Sequence, residues 1–331
     1  MGDAGPCSPL PAEFSSTSND ARPREVTVLV TGFGVCICSN LKPSIYGMLD
    51  FTHAGYHGTC MYQAANMSPQ LLKPFKSFHI NPSHMIAARL PSILLPEKNS
   101  TSAKSSVLPP IIRLIVHPTP LRVSYQFVAS LVPQLLAHHD PDYIFHIGMA
   151  GGRDYYALET RAHRDGYRIR DADGRDGYID GEYRWKKEVR ADGEFLPDVL
   201  ECGWNIEDVE RRWRQELGLE EEKKELDEPR VKMSIDAGRF LCDFIFYESL
   251  SVRWKKGRDR VGKACFFHVP GEADEENVQK GVRVAEAAIR SVVGSWEEGM
   301  RREGRIVEGE EELGESQEEE RERKAGAAFL S

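Results

Sequence analysis

"EVTVLVTGFG" (residues 25–34) decides the fold. An apolar, β-branched run that ends in glycines reads as a strand buried on both faces and closing into a tight turn. Three more stretches read as buried strands: "IIRLIVHPTP" (111–120), "DYIFHIGMAGGR" (142–153) and "KACFFHVPG" (263–271). Helical spacing lies between and after them. "NPSHMIAARLPSILL" (81–95) opens on Asn-Pro-Ser, a helix-start signal. "SYQFVASLVPQLLAHH" (124–139) is amphipathic, with Pro133 expected to bend or split it. "RVKMSIDAGRFLCDFIFYESLS" (230–251) reads as a short strand, a turn and a helix, and "ENVQKGVRVAEAAIRSVVGSWEEG" (276–299) as a last helix. Strands alternating with helices predict an α/β protein, a three-layer αβα sandwich around a mainly parallel, twisted sheet. In such sheets chemistry gathers at the carboxyl ends of the strands, where the glycine turns fall.

The chain has 331 residues and 40% hydrophobic residues, enough for one sizeable domain. That domain is expected over residues 25–298, between a Pro/Ser-rich disordered tail (1–24) and a Glu/Arg-dense tail (299–331). Residues 167–230 are charged and glycine-rich, with one helix expected in "NIEDVERRWRQELGLEEEKKEL" (205–226); they read as a variable excursion over the sheet edge. A net charge of −9 argues against a nucleic-acid or anionic-membrane surface. No apolar run approaches the roughly 18 to 20 residues of a transmembrane helix. No basic-then-apolar leader is visible, and Pro6 stands where a myristoylation signal needs Ser or Thr. The seven cysteines are scattered, so the expectation is a cytoplasmic protein with reduced thiols.

Two of the predicted elements carry reactive side chains. In "SIDAGRFLCDFIFYESL" (234–250) Asp236 is expected to cap the following helix, which sets Cys242 near a helix amino terminus. The positive end of the helix dipole lowers a thiol's pKa there, although a packed core cysteine has the same sequence signal. His268 ends an apolar strand before a proline turn, a place structural histidines also occupy. Together a cysteine at a helix start and a histidine at a strand end are the parts of a thiolate–imidazolium pair. Glu159, just beyond the strand and glycine turn read in 142–153, is placed to orient the imidazole, or else faces solvent. Cys265 is the rival nucleophile, expected to be packed inside its strand.

"VLVTGFG", "PFKSFHINPS", "HIGMAGGRDYYALE", "DAGRFLCDFIFYESL" and "FFHVP", in that order, resemble the pyroglutamyl peptidase I family of cysteine peptidases. The resemblance spans roughly residues 26–293 and is weak over 167–230. It implies that Cys242 is the nucleophile, His268 the base and later the acid, and Glu159 its orienting partner. It also implies an enzyme that removes amino-terminal pyroglutamate from peptides without metal or cofactor. A flat, uncharged lactam suits an apolar slot with a few backbone hydrogen bonds. The matching slot positions are Phe33, Phe75 and Phe240. Asn81 would pin the first loop, and backbone at Gly148 and Met149 would hold the lactam.

In the family the opening loop runs without a break, whereas here residues 35–73 separate "TGFG" from "PFKSF". Cys36, Cys38, His53, His57 and Cys60 fall there, in a spacing that suits no common zinc module. The stretch reads better as a retained intron. Val35-Cys36 can be encoded by the donor sequence GTATGT, Ala65-Asn66 by the branch sequence GCTAAC, and Lys73 by an AAG ending in the acceptor AG. Its removal restores the motif in frame. The rival readings are a tolerated insertion; a catalytically impaired relative that acts as a scaffold through its acidic tail; and a nucleoside phosphorylase-like enzyme on a similar sheet, which would not need Cys242.

Overall fold

A computed structural model describes residues 24–34, 80–95, 109–219, 228–257 and 263–299. The expected N-terminal tail short of Arg24, the interrupting stretch 35–73, Phe75 and the C-terminal tail past Gly299 lie outside them.

The strands are β1 (Glu25–Gly32), β2 (Ile93–Leu94), β3 (Ile111–Val116), β4 (Tyr143–Met149), β5 (Tyr156–Glu159), β6 (Arg161–His163), β7 (Val199–Glu201), β8 (Val231–Ser234) and β9 (Ala264–Val269). The helices are α1 (Pro82–Arg89), α2 (Tyr125–His139), α3 (Tyr183–Trp185), α4 (Ile206–Glu216), α5 (Leu241–Lys256) and α6 (Glu275–Glu297). A seven-stranded sheet runs in the order β2-β3-β1-β4-β9-β5-β8, and β6 pairs with β7 in a separate two-stranded ribbon. The pairs β1–β3, β1–β4, β4–β9 and β5–β8 are parallel, while β2–β3 and β5–β9 are antiparallel. This is the expected mainly parallel αβα architecture.

Side-chain alternation along the strands sorts the core into two layers. Val26, Val28, Val30, Phe145, Ile147 and Phe267 pack with residues of α1, α4 and α6 on one face. Leu29, Phe33, Ile144, Ala264 and Phe266 pack with residues of α2 and α5 on the other. Residues of the second parity, including His146, Gly148 and His268, therefore belong to the face that α5 covers.

Several local expectations are corrected. The helix from Asn81 ends at Arg89, because Pro91 cannot continue it, and residues up to Leu94 form the edge strand β2 instead. Pro133 sits inside one continuous α2, which it does not split. Residues 167–230 do more than cross an edge. Tyr167, Trp185 and Leu200 join the α5 layer, and Trp204, Val209 and Trp213 join the opposite one. Asn81 caps α1 by accepting from the Ser83 N–H at 3.0 Å. The His84 N–H donates to the Phe33 carbonyl at 3.2 Å, so the two ends of the interrupted first loop touch through backbone. Among the described residues no helix is long and apolar enough to cross a membrane.

Candidate active site

Cys242 is the second residue of α5, which starts at Leu241. Asp236 does not cap that helix: its carboxylate accepts from the Gly238 N–H at 2.9 Å in the preceding turn. The cap position is Phe240, which has no side-chain acceptor, so the first-turn N–H groups of α5 keep their donors for another partner.

β4 makes room for the cysteine. A Cβ built on Gly148 would lie 2.9 Å from Cys242 Sγ and 2.4 Å from Phe266 Cζ. Glycine is required at this position for close approach. Gly148 is the register partner of His268 on β9, and paired residues of parallel strands face the same side. The thiol and the imidazole thus share one face at the carboxyl end of the sheet. His268 Nδ1 is 2.7 Å from Glu159 Oε1, with both side chains buried. That contact commits Nδ1, and Nε2 is the ring nitrogen left for other chemistry. Glu159 ends β5, a strand that Tyr156–Glu159 builds antiparallel to β9; the sequence reading had placed the residue merely beyond a strand.

The electrostatics reverse one expectation. Cys242 is half-buried, and its thiol is pushed up to about 12, not lowered. Burial is the largest cause, followed by the charges of Glu159 and Asp243, with Arg153 pulling the other way. At neutral pH the sulfur therefore carries its proton until a base takes it. Cys265 is buried in β9 and likewise pushed up to about 12 by burial, in keeping with a packed thiol. Asp243 turns to other partners, accepting from the His163 N–H at 3.2 Å and from the Tyr167 hydroxyl at 2.8 Å.

Of the other expected residues, Phe33 is buried in the α2/α5 layer and Phe240 is half-buried against it. Met149 pairs with Val269, beside Gly148 and His268. The Phe240 ring meets Tyr125 edge-on, with centroids 5.9 Å apart. Sequence reasoning missed Tyr125, which no motif marks. It also missed Arg153, whose guanidinium donates to Glu159 Oε1 at 2.9 Å and to the Asp236 carbonyl at 3.2 Å. The Gly-Gly-Arg turn after β4 was a usable signal for it. Among the described residues no three His, Cys, Asp or Glu side chains stand together as metal ligands.

Rat pyroglutamyl-peptidase 1 is 29% identical to this chain over 183 residues, covering 55% of the chain and 75% of the rat protein. The human pyroglutamyl-peptidase 1 is 28% identical over 178 residues, covering 54% and 73%. Over about half of its length this chain is similar in sequence to pyroglutamyl-peptidase 1 proteins. The human pyroglutamyl-peptidase 1-like protein is 32% identical over 152 residues, covering 45% of this chain and 62% of that one. Pyrrolidone carboxyl peptidase from Thermococcus litoralis is 17% identical with a TM-score of 0.50, covering 85% of this chain and 99% of its own, and it shares the fold. No family model matches the chain.

The crowding at Gly148 is directly testable. Gly148→Ala should lower unfolding free energy by about 1–3 kcal/mol, because Phe266 and Cys242 must both shift. Gly152→Ala, where an added Cβ meets nothing within 4 Å, should stay within about 0.5 kcal/mol of the parent. Urea titrations giving equal losses for the two would remove the special status of the gap.

Proposed function

We propose that the chain is a cysteine exopeptidase that releases amino-terminal pyroglutamate from peptides. The observation that carries this reading is the buried His268–Glu159 contact on the same sheet face as Cys242.

The steps follow from the geometry. The Cys242 thiol gives its proton to His268 Nε2, and the sulfur attacks the carbonyl carbon that joins pyroglutamate to the next residue. Glu159, held on Nδ1, fixes the tautomer and stabilises the imidazolium. The oxyanion that forms is met by first-turn N–H groups of α5, which lack an intrahelical partner. Collapse breaks the C–N bond, and His268 returns the proton to the leaving amine. Water, deprotonated by His268, then hydrolyses the thioester and regenerates the thiol. Because the resting thiol is protonated, proton transfer must accompany attack, and the Glu159–His268 pair is what makes it favourable. Arg153 helps by holding Glu159 and by opposing the negative charge around the sulfur.

Phe240, backed by Tyr125, offers an apolar wall for the lactam ring, and Phe33 lies in the same layer. Phe75 would complete the slot from the far side of the interrupted loop. Asn81, at the head of α1, holds the helix start against which the Phe33 carbonyl is bonded.

In the chain lacking residues 35–73, Cys242→Ala should abolish cleavage of a pyroglutamyl-arylamide with the fold intact. Glu159→Gln should lower kcat by roughly 10²–10⁴-fold with little change in KM, since the carboxylate acts on the imidazolium of the transition state. Cleavage by the Cys242→Ala chain would shift the nucleophile to Cys265, and a Glu159→Gln variant with parental kcat would end the orienting role.

Residues 35–73 are proposed to be the retained intron. The His84 N–H already bonds the Phe33 carbonyl, so the chain on either side of the stretch is held together and the deletion needs no rearrangement of the sheet. The chain lacking 35–73 should cleave the arylamide efficiently, and the full chain weakly or not at all, because the slot aromatics need a fixed separation. Equal, robust rates in a side-by-side assay would make the stretch a tolerated insertion.

A further inference from the structure

One buried polar group on the α5 face has no part in the chemistry above. His146 sits on β4, two residues before Gly148 and so on the same side of the strand. Its Nδ1 is 2.7 Å from the Thr31 hydroxyl of β1, and its Nε2 is 2.7 Å from the Ser249 hydroxyl of α5. All three side chains are buried, and the Phe266 ring of β9 lies beside the imidazole with its centroid 6.5 Å away.

A neutral imidazole has one donor and one acceptor, and a hydroxyl can be either, so the chain Thr31–His146–Ser249 satisfies itself. Burial holds the His146 pKa down, to about 3, which keeps the ring neutral across the ordinary pH range. The group neither titrates nor touches solvent. What it does is tie a point on α5 to a point on β4.

That point is well chosen. Ser249 and Cys242 are related as i and i+7, two turns of one helix face. His146 and Gly148 are related as i and i+2, one strand face. The Ser249–His146 bond therefore pairs with the Cys242–Gly148 contact: the first fixes how far α5 slides and rotates on the sheet, and the second is where that setting is used. The packing around them is mostly aromatic and aliphatic, which attracts without specifying a register. A buried hydrogen bond to a rigid ring specifies one.

We infer that His146 and Ser249 are positioning residues, which set the register of α5 on the sheet so that Cys242 Sγ is delivered beside His268. Thr31 completes the hydrogen bonding of His146 from the β1 side and holds no part of α5. The inference rests on the peptidase reading only in taking the Cys242–His268 pair as the reacting groups.

The test compares cuts on either side of the same ring in the full-length protein. Ser249→Ala breaks the bond to α5, Thr31→Val breaks the bond to β1, and Ser249→Thr restores a hydroxyl at 249. For each, the second-order rate of Cys242 alkylation by iodoacetamide is measured at neutral pH, with the site located by peptide mass, alongside the thermal midpoint. Both cutting variants should lose thermal stability. Only Ser249→Ala should slow alkylation of Cys242, by about tenfold, because a thiol moved away from its base stays protonated. Thr31→Val and Ser249→Thr should stay within about twofold of the parent. His146→Asn, which cannot span both hydroxyls, should fall with Ser249→Ala and decides the matter if that variant does not fold. A Ser249→Ala chain with lowered stability but parental alkylation would reduce the bond to ordinary packing and overturn the inference. Parental Cys242 reacting no faster than buried Cys265 would overturn the peptidase reading and this inference together, whereas a normal parental rate with an unchanged Ser249→Ala rate removes this inference alone.

Discussion

The site depends on an absence of side chain. A Cβ at Gly148 would clash with both Phe266 Cζ and Cys242 Sγ, so the bare glycine leaves the room in which the Phe266 ring and the start of α5 pack against β4. Close approach has two effects. It places the sulfur on the face, and next to the strand, that carries His268. It also buries the sulfur, which raises the thiol. On the proposed peptidase reading, Cys242 is thus a protonated thiol activated by an imidazole whose other nitrogen is held by a buried carboxylate, rather than a pre-formed thiolate in an electropositive pocket.

Several buried polar groups in this layer tie its elements together. Glu159 Oε1 receives both His268 and Arg153, so one carboxylate oxygen joins the His268 imidazole to the loop that precedes α5. Asp243, next to Cys242 in sequence, anchors α5 to residues 163 and 167. The Thr31–His146–Ser249 chain ties the helix to the sheet two turns further on. In a low-dielectric layer such bonds are costly to leave unmade, which is why they fix geometry more firmly than the surrounding aromatic packing can.

The apolar runs gave away β1, β4 and β9, because a strand buried on both faces must be largely apolar, and the β-branched run of β3 was legible despite its exposed Arg113. β5 was harder: "YALE" is short, and its antiparallel place beside β9 is set by tertiary pairing, which leaves no local pattern. β2 was hidden by helix-like spacing that Pro91 interrupts. Cys242, His268 and Glu159 could be singled out as residue types at element ends, and their spatial grouping follows from strand order, which a sequence does not print. Asp236 was misread because an aspartate before a helix can close its own turn as easily as cap the helix. The thiol's direction was misread for a reason of magnitude. A helix terminus contributes about 0.3–1 kcal/mol, less than one pH unit, and burial beside two carboxylates outweighs it. Arg153, Tyr125 and the His146 chain carry roles that only neighbours in space define.

The most direct measurement of the central claim is covalent labelling of the chain lacking residues 35–73 with pyroglutamyl chloromethyl ketone, followed by peptide mapping. The account predicts alkylation confined to Cys242 and slowed by free pyroglutamate, since a lactam-selective site must bring the reagent to that sulfur. Label on Cys265, or an unmodified Cys242 after exhaustive reaction, would contradict it.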